Sequence, residues 1–137
     1  MIRLSYVFRV FAPLVYKGNK VDCPVCEKSF KKFLSYGSNV AHRDNVLCPY
    51  DLTLERHRLM WVYLKDRSNF FTDEKLKVMH IATEQCFYSK FKKQKNLEYT
   101  TGDLLSPLAD IHFDLHKIPL EDNQYDVIFC NHVLEHV

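Results

Sequence analysis

Asp114-Leu-His-Lys-Ile-Pro-Leu-Glu-Asp-Asn-Gln-Tyr-Asp-Val-Ile-Phe-Cys-Asn-His-Val-Leu-Glu-His-Val137 is the stretch of this chain whose reading decides the fold. An acid is followed by Ile118-Pro119, then by the polar turn Glu121 to Gln124, then by the apolar run Tyr125 to Cys130. So short an apolar run, bounded by turn formers, reads as a parallel strand covered by helices on both faces. Asn131, His132, Glu135 and His136 then stand just past its carboxyl end, where open α/β sheets bind their ligands.

Upstream, the same logic finds three more strands. Lys77 to Ala82 is a short apolar run, and Glu84 to Lys93 follows it with Phe87, Tyr88 and Phe91 on one helical face and lysines on the other. Leu97 to Thr101 closes at Gly102-Asp103, and Ile111 to Phe113 closes at Asp114. Strand, helix, strand in this order begins a parallel α/β unit. Only Leu104 to Asp110 connect the second and third strands, with Pro107 among them, so a turn must replace the usual crossover helix. Before the sheet, Thr53 is placed to cap a helix ending near Asp66, in which Leu54, His57, Met60, Trp61 and Leu64 recur at helical spacing. Glu55, Arg56 and Arg58 are expected to face outward. Asp103 lies about 20 residues past the first loop, the spacing at which an acid accepts hydrogen bonds from ribose hydroxyls; the other reading is a turn acid after Gly102.

The chain has 137 residues, a net charge of +2 and mixed acids and bases, so no polyanionic partner is indicated. The lysines of Lys90 to Lys95 read as a solvated helix face. Met1 to Tyr16 is apolar and aromatic but interrupted by Arg3, Arg9 and Pro13; it is too short to span a bilayer and lacks a cleavage site. It reads as a helix packed on the next domain, or as an interfacial helix resting on a membrane. Five cysteines without a secretory signal point to metal or thiol chemistry and a cytoplasmic protein. Cys23-Pro-Val-Cys26 and Cys48-Pro-Tyr-Asp51 are two similar knuckles separated by a loop of zinc-ribbon length. Structural zinc on Cys23, Cys26, Cys48 and Asp51, with His42 or His57 as substitutes for Asp51, is weighed against a metal-free knuckle and a redox dithiol. Cys86 and Cys130 sit on apolar elements and read as inert thiols.

In its order of acid, Ile-Pro, acidic turn, Tyr-Asp, apolar run and Asn-His-Val-Leu-Glu-His, the C-terminal stretch resembles the central segment of class I S-adenosylmethionine-dependent methyltransferases of the type 11 kind. Cys23-Pro-Val-Cys26 before Glu55-Arg-His-Arg58 is similar to an N-terminal pair that such proteins often carry. The resemblance implies a Rossmann-like parallel sheet preceded by a small zinc-knuckle module, with segments 1–20, 21–52 and 53–137. It implies S-adenosylmethionine as cofactor, bound by His80, Ala82 and Glu84 after the first strand, by Asp103 after the second, and by Asp114 and Leu115 after the third. The family's glycine loop is replaced here by His80-Ile-Ala-Thr-Glu84. Asp114 would receive the adenine amino group, or be a solvated loop acid. Asn131 and His132 would stand where methyl group and acceptor meet, or simply open the next helix. The family's later strands are expected beyond Val137, which makes this chain a part of a larger domain. The acceptor, whether small molecule, sugar, protein or RNA, is left open. The rival reading is a zinc-ribbon RNA-binding or interaction module with a non-catalytic methyltransferase-like domain.

Overall fold

The computed structural model describes residues 11, 12 and 14–136, so most of the expected N-terminal helix lies outside the described residues. The chain divides into two compact units, Met1–Ser68 and Asn69–Val137.

The first unit is built from two antiparallel hairpins and a helix. Strand β1 (Lys17–Cys23) pairs with β2 (Lys28–Phe30), and β3 (Leu34–Tyr36) pairs with β4 (Arg43–Leu47). Gly37 turns the second hairpin with a φ of 97°, and an added Cβ would lie 2.2 Å from the carbonyl oxygen of Ala41. Val25, Phe30, Phe33, Val46, Leu54 and Leu64 are buried in this unit, as are Cys23 and Cys48. Helix α1 (Glu55–Arg67) packs in this unit. Two sequence expectations change here. Thr53 does not cap α1, because its side chain turns to Asp51 and Cys23. Instead the amide of Leu54 donates to Nδ1 of buried His57 at 3.1 Å. Arg58 does not face outward: its guanidinium lies over the Phe33 ring and donates to the carbonyls of Val46 (2.8 Å) and Thr53 (2.7 Å).

The second unit is a four-stranded sheet ordered β7-β6-β5-β8, from β5 (Leu76–Ile81), β6 (Leu97–Asp103), β7 (Ile111–His112) and β8 (Val127–Cys130), every pairing parallel. The reversal of order between β5 and β8 makes it Rossmann-like. Side chains alternate faces along β5. Val78 and His80 go to an aromatic cluster in which Phe91, from α2 (Gln85–Phe91), meets Phe70 at 4.9 Å, Phe87 at 5.1 Å and Phe129 at 5.5 Å between ring centroids. Met79 and Ile81 pack with Phe113 on the other face. That face is not fully covered, since Ile128 of β8 is 60% exposed, against the expectation of helices on both sides of this strand.

Residues 104–110 connect β6 to β7 without a helix. The amide and hydroxyl of fully buried Thr101 donate to the Asp110 carboxylate at 2.9 and 2.7 Å, and the Asp110 amide returns a bond to the Thr101 carbonyl at 3.0 Å. This closed ring of bonds staples the turn, so β7 reaches a parallel register with Gly102↔Ile111 and Asp103↔His112. Among the described residues no helix is long and apolar enough to cross a membrane.

Candidate functional site

At the carboxyl ends of β5, β6 and β7 lies a cavity of about 190 Å³ walled by Ile81, Ala82, Asp103, Leu104, Phe113, Asp114, Leu115 and Val133. It brings together Ala82, Asp103, Asp114 and Leu115, four of the residues singled out in the sequence. Ile81, Leu104, Phe113 and Val133 were not singled out as site residues; each directly neighbours a residue that was. Ala82 carries the left-handed φ of 49° that glycine ordinarily supplies, and its amide donates to the Gly102 carbonyl at 2.9 Å. Gly102 itself admits no side chain, because a Cβ would lie 2.6 Å from the Phe113 ring.

The two strand-end acids hold their own loops through one carboxylate oxygen each. Asp103 Oδ1 accepts from the amides of Leu105 (2.9 Å) and Ser106 (2.8 Å). Asp114 Oδ1 accepts from the His116 amide at 2.9 Å and lies 2.8 Å from His116 Nδ1. These bonds, the backbone one foremost, hold the Asp114 carboxyl below its ordinary pKa. A turn acid and a ligand acid are therefore compatible roles, since a carboxylate has acceptor sites to spare.

Glu84 stands between the loops that follow β5 and β8. Its Oε2 lies 3.1 Å from His80 Nε2 and accepts from Asn131 Nδ2, also at 3.1 Å. His80 is fully buried, with Nδ1 2.8 Å from the Tyr99 hydroxyl, and neither it nor Glu84 lines the cavity. Tyr99 escaped the sequence reading, although its place on β6 beside Thr101, which pairs with His80, was a usable signal. His132 is exposed with a φ of 53°, and its Nδ1 lies 3.1 Å from Glu135 Oε1, which lowers the Glu135 carboxyl pKa.

In the first unit, one donor atom each from Cys23, Cys26, Cys48 and Asp51 lies within 4.8 Å of the others. Two matching turns bring them there. Each ends in a left-handed residue, Glu27 (φ 56°) and Leu52 (φ 60°). The amides of these residues donate back to Cys23 O at 2.9 Å and Cys48 O at 3.1 Å. The Cys26 and Cys48 sulfurs are 3.8 Å apart, and Cys23 Sγ is 3.6 Å from Asp51 Oδ2. Zinc–thiolate bonds of about 2.3 Å give tetrahedral edges of about 3.8 Å, so the spacing suits such an ion. The other Asp51 oxygen accepts from the Thr53 hydroxyl (2.7 Å) and amide (3.1 Å), which aims the carboxylate at the cysteines. His42 pairs with Asp44 and His57 with the Leu54 amide, leaving Asp51 as the fourth donor that the fold brings to the thiols. The crowded thiols oppose one another's ionisation. Hydrogen bonds from Cys26 and Cys48 hold Cys23 low, while the bond to Cys23 pushes Cys26 up to about 12 and Cys48 upward too. A bound dication would reverse that conflict.

Residues 71–137 match the family described as "Methyltransferase domain", a class I S-adenosylmethionine-dependent methyltransferase family. Neither a curated protein nor a solved structure shows significant similarity to the chain.

Proposed function

We propose that the chain acts in methyl transfer from S-adenosylmethionine, and that its N-terminal unit is organised by a structural zinc ion. The observation that supports the first part best is the convergence of Ala82, Asp103, Asp114 and Leu115 on one cavity at the ends of three adjacent strands. Asp103 would accept from the ribose hydroxyls, Asp114 and Leu115 would hold the adenine, and the left-handed turn at Ala82 would let backbone approach the methionine part. When bound, the cofactor supplies an electrophilic methyl group on a sulfonium. The chain's own task is alignment and exclusion of water, which can provide most of the rate gain of an in-line displacement. Asn131 and His132 would stand on the acceptor side. With Nδ1–H of His132 given to Glu135, its Nε2 is placed to take a proton from an acceptor that must lose one.

Calorimetric titration of the chain with S-adenosylhomocysteine tests this reading. Loss of a charge-assisted hydrogen bond costs about 1.5–3 kcal/mol, so Asp103→Ala should weaken binding about tenfold or more. Unchanged affinity would remove Asp103 from the site. No binding by the unmodified chain would overturn the enzymatic reading in favour of a non-catalytic domain.

A further inference from the structure

We propose that His80, which is fully buried, is a positioning residue for cofactor recognition: through Glu84 and Asn131 it braces the two loops that wall the cavity on the β5 and β8 side. The inference rests on the methyltransferase reading and adds a residue that does not itself line the cavity.

The hydrogen bonds fix the chemistry of the brace. A carboxylate only accepts, so His80 Nε2 carries the proton that it shares with Glu84 Oε2 at 3.1 Å. Its Nδ1 lies 2.8 Å from the Tyr99 hydroxyl. Burial raises the Tyr99 pKa, which keeps it a phenol able to donate. The His80 ring is packed between the rings of Phe129 at 5.3 Å and Phe91 at 6.0 Å. The same Glu84 oxygen accepts from Asn131 Nδ2, tying the loop after β5 to the loop after β8. Ala82 and Val133, one from each loop, line the cavity. Thr83 completes the arrangement by donating to the His80 carbonyl at 2.9 Å. Residues 82–84 contain no glycine to dictate their path, so side-chain bonds take over that role.

Asp103 and Asp114 occupy the opposite wall, the side read above as holding the nucleoside. Releasing the brace should therefore affect the part of a ligand that extends past the nucleoside. Two probes separate these parts: S-adenosylhomocysteine carries the amino-acid arm, and 5′-methylthioadenosine lacks it. In the full chain, His80→Phe should weaken S-adenosylhomocysteine about tenfold or more while changing 5′-methylthioadenosine less than about twofold. His80→Gln, which keeps a donor, should recover most of the loss, and Tyr99→Phe should show a smaller selective loss. If His80→Phe fails to fold, Glu84→Leu, which removes the acceptor at the half-buried end of the brace, should give the same selectivity. Equal losses for both probes, or full affinity in His80→Phe or Glu84→Leu, would overturn the positioning role while leaving the methyltransferase reading in place. Binding of neither probe by the unmodified chain would remove that reading and this inference with it.

Discussion

Ala82 holds a left-handed backbone at the point where the cofactor loop leaves β5. An L-residue with a side chain loses about 1–2 kcal/mol in that conformation, whereas glycine does not. Glycine in turn gives up about 0.5–1 kcal/mol through the entropy of the unfolded chain. Ala82→Gly should therefore be neutral or stabilising by up to about 1 kcal/mol, and Ala82→Val, with a branch at Cβ, should destabilise by more than about 1 kcal/mol. Urea unfolding measures both, and a clear loss of stability in Ala82→Gly would count against the left-handed turn. Sequence showed a small residue where the family has glycine, but the sign of φ depends on bonds to distant residues, such as the one from the Ala82 amide to Gly102. Asp103 and Asp114 were easier to place, because a polar residue at the end of an apolar run has only one end of the sheet to occupy. His80 was named from sequence as a cofactor-binding residue, and alternation along β5 puts it with Val78, opposite Met79 and Ile81.

Among the elements, the connection from β6 to β7 departs furthest from the regular pattern. A parallel crossover ordinarily needs a dozen or more residues, and the shortness of Leu104 to Asp110 was plain from sequence. What sequence could not show is that Thr101 and Asp110 close the turn with their own side chains. These bonds, chiefly the one from the Thr101 hydroxyl, hold the Asp110 carboxyl below its ordinary pKa. A carboxyl depressed in the folded state contributes stability that is complete above the unfolded value of about 3.9 and is lost as pH falls through the folded value. Asp110→Ala leaves the buried Thr101 amide unpaired, while the Thr101 hydroxyl keeps the Leu108 carbonyl at 2.9 Å, and should cost about 1–3 kcal/mol near neutral pH. Thermal unfolding at neutral pH and near pH 3 should show the gap between the two proteins narrowing in acid. A gap independent of pH would mean that the carboxylate is not what closes the turn. The start of α1 shows a different limit. Thr53 is a good capping residue by type, but the buried Asp51 carboxylate competes for its hydroxyl and wins at 2.7 Å.

At the scale of the whole molecule, the chain divides after Ser68, so α1 belongs with the cysteine-bearing unit and not with the sheet. The apolar face of α1 was legible, but a face carrying Leu54, His57 and Leu64 could have packed on either neighbour. Arg58, read as solvent-facing, makes the difference by bonding to the carbonyls of Val46 and Thr53. This division sets up the last prediction. The first unit has a small core, and its two cysteine turns are held mainly by the turn bonds to Cys23 and Cys48 and by whatever satisfies three thiols and a carboxylate. A structural zinc contributes its binding energy directly to folding, since the unfolded chain has no preformed site. Purified protein should therefore carry about one equivalent of zinc by elemental analysis. Cys23→Ser should lose it, and Asp51→Cys, which completes the thiolate set, should hold it at least as firmly. The sheet unit has its own aromatic cluster and contributes none of these donors, so chelation should lower one unfolding transition and leave a second, belonging to residues 69–137, in place. Differential scanning calorimetry with and without chelator reads this directly. A metal-free protein whose unfolding is indifferent both to chelator and to Cys23→Ser would show that the four donors are only neighbours, and that packing alone holds the knuckles together.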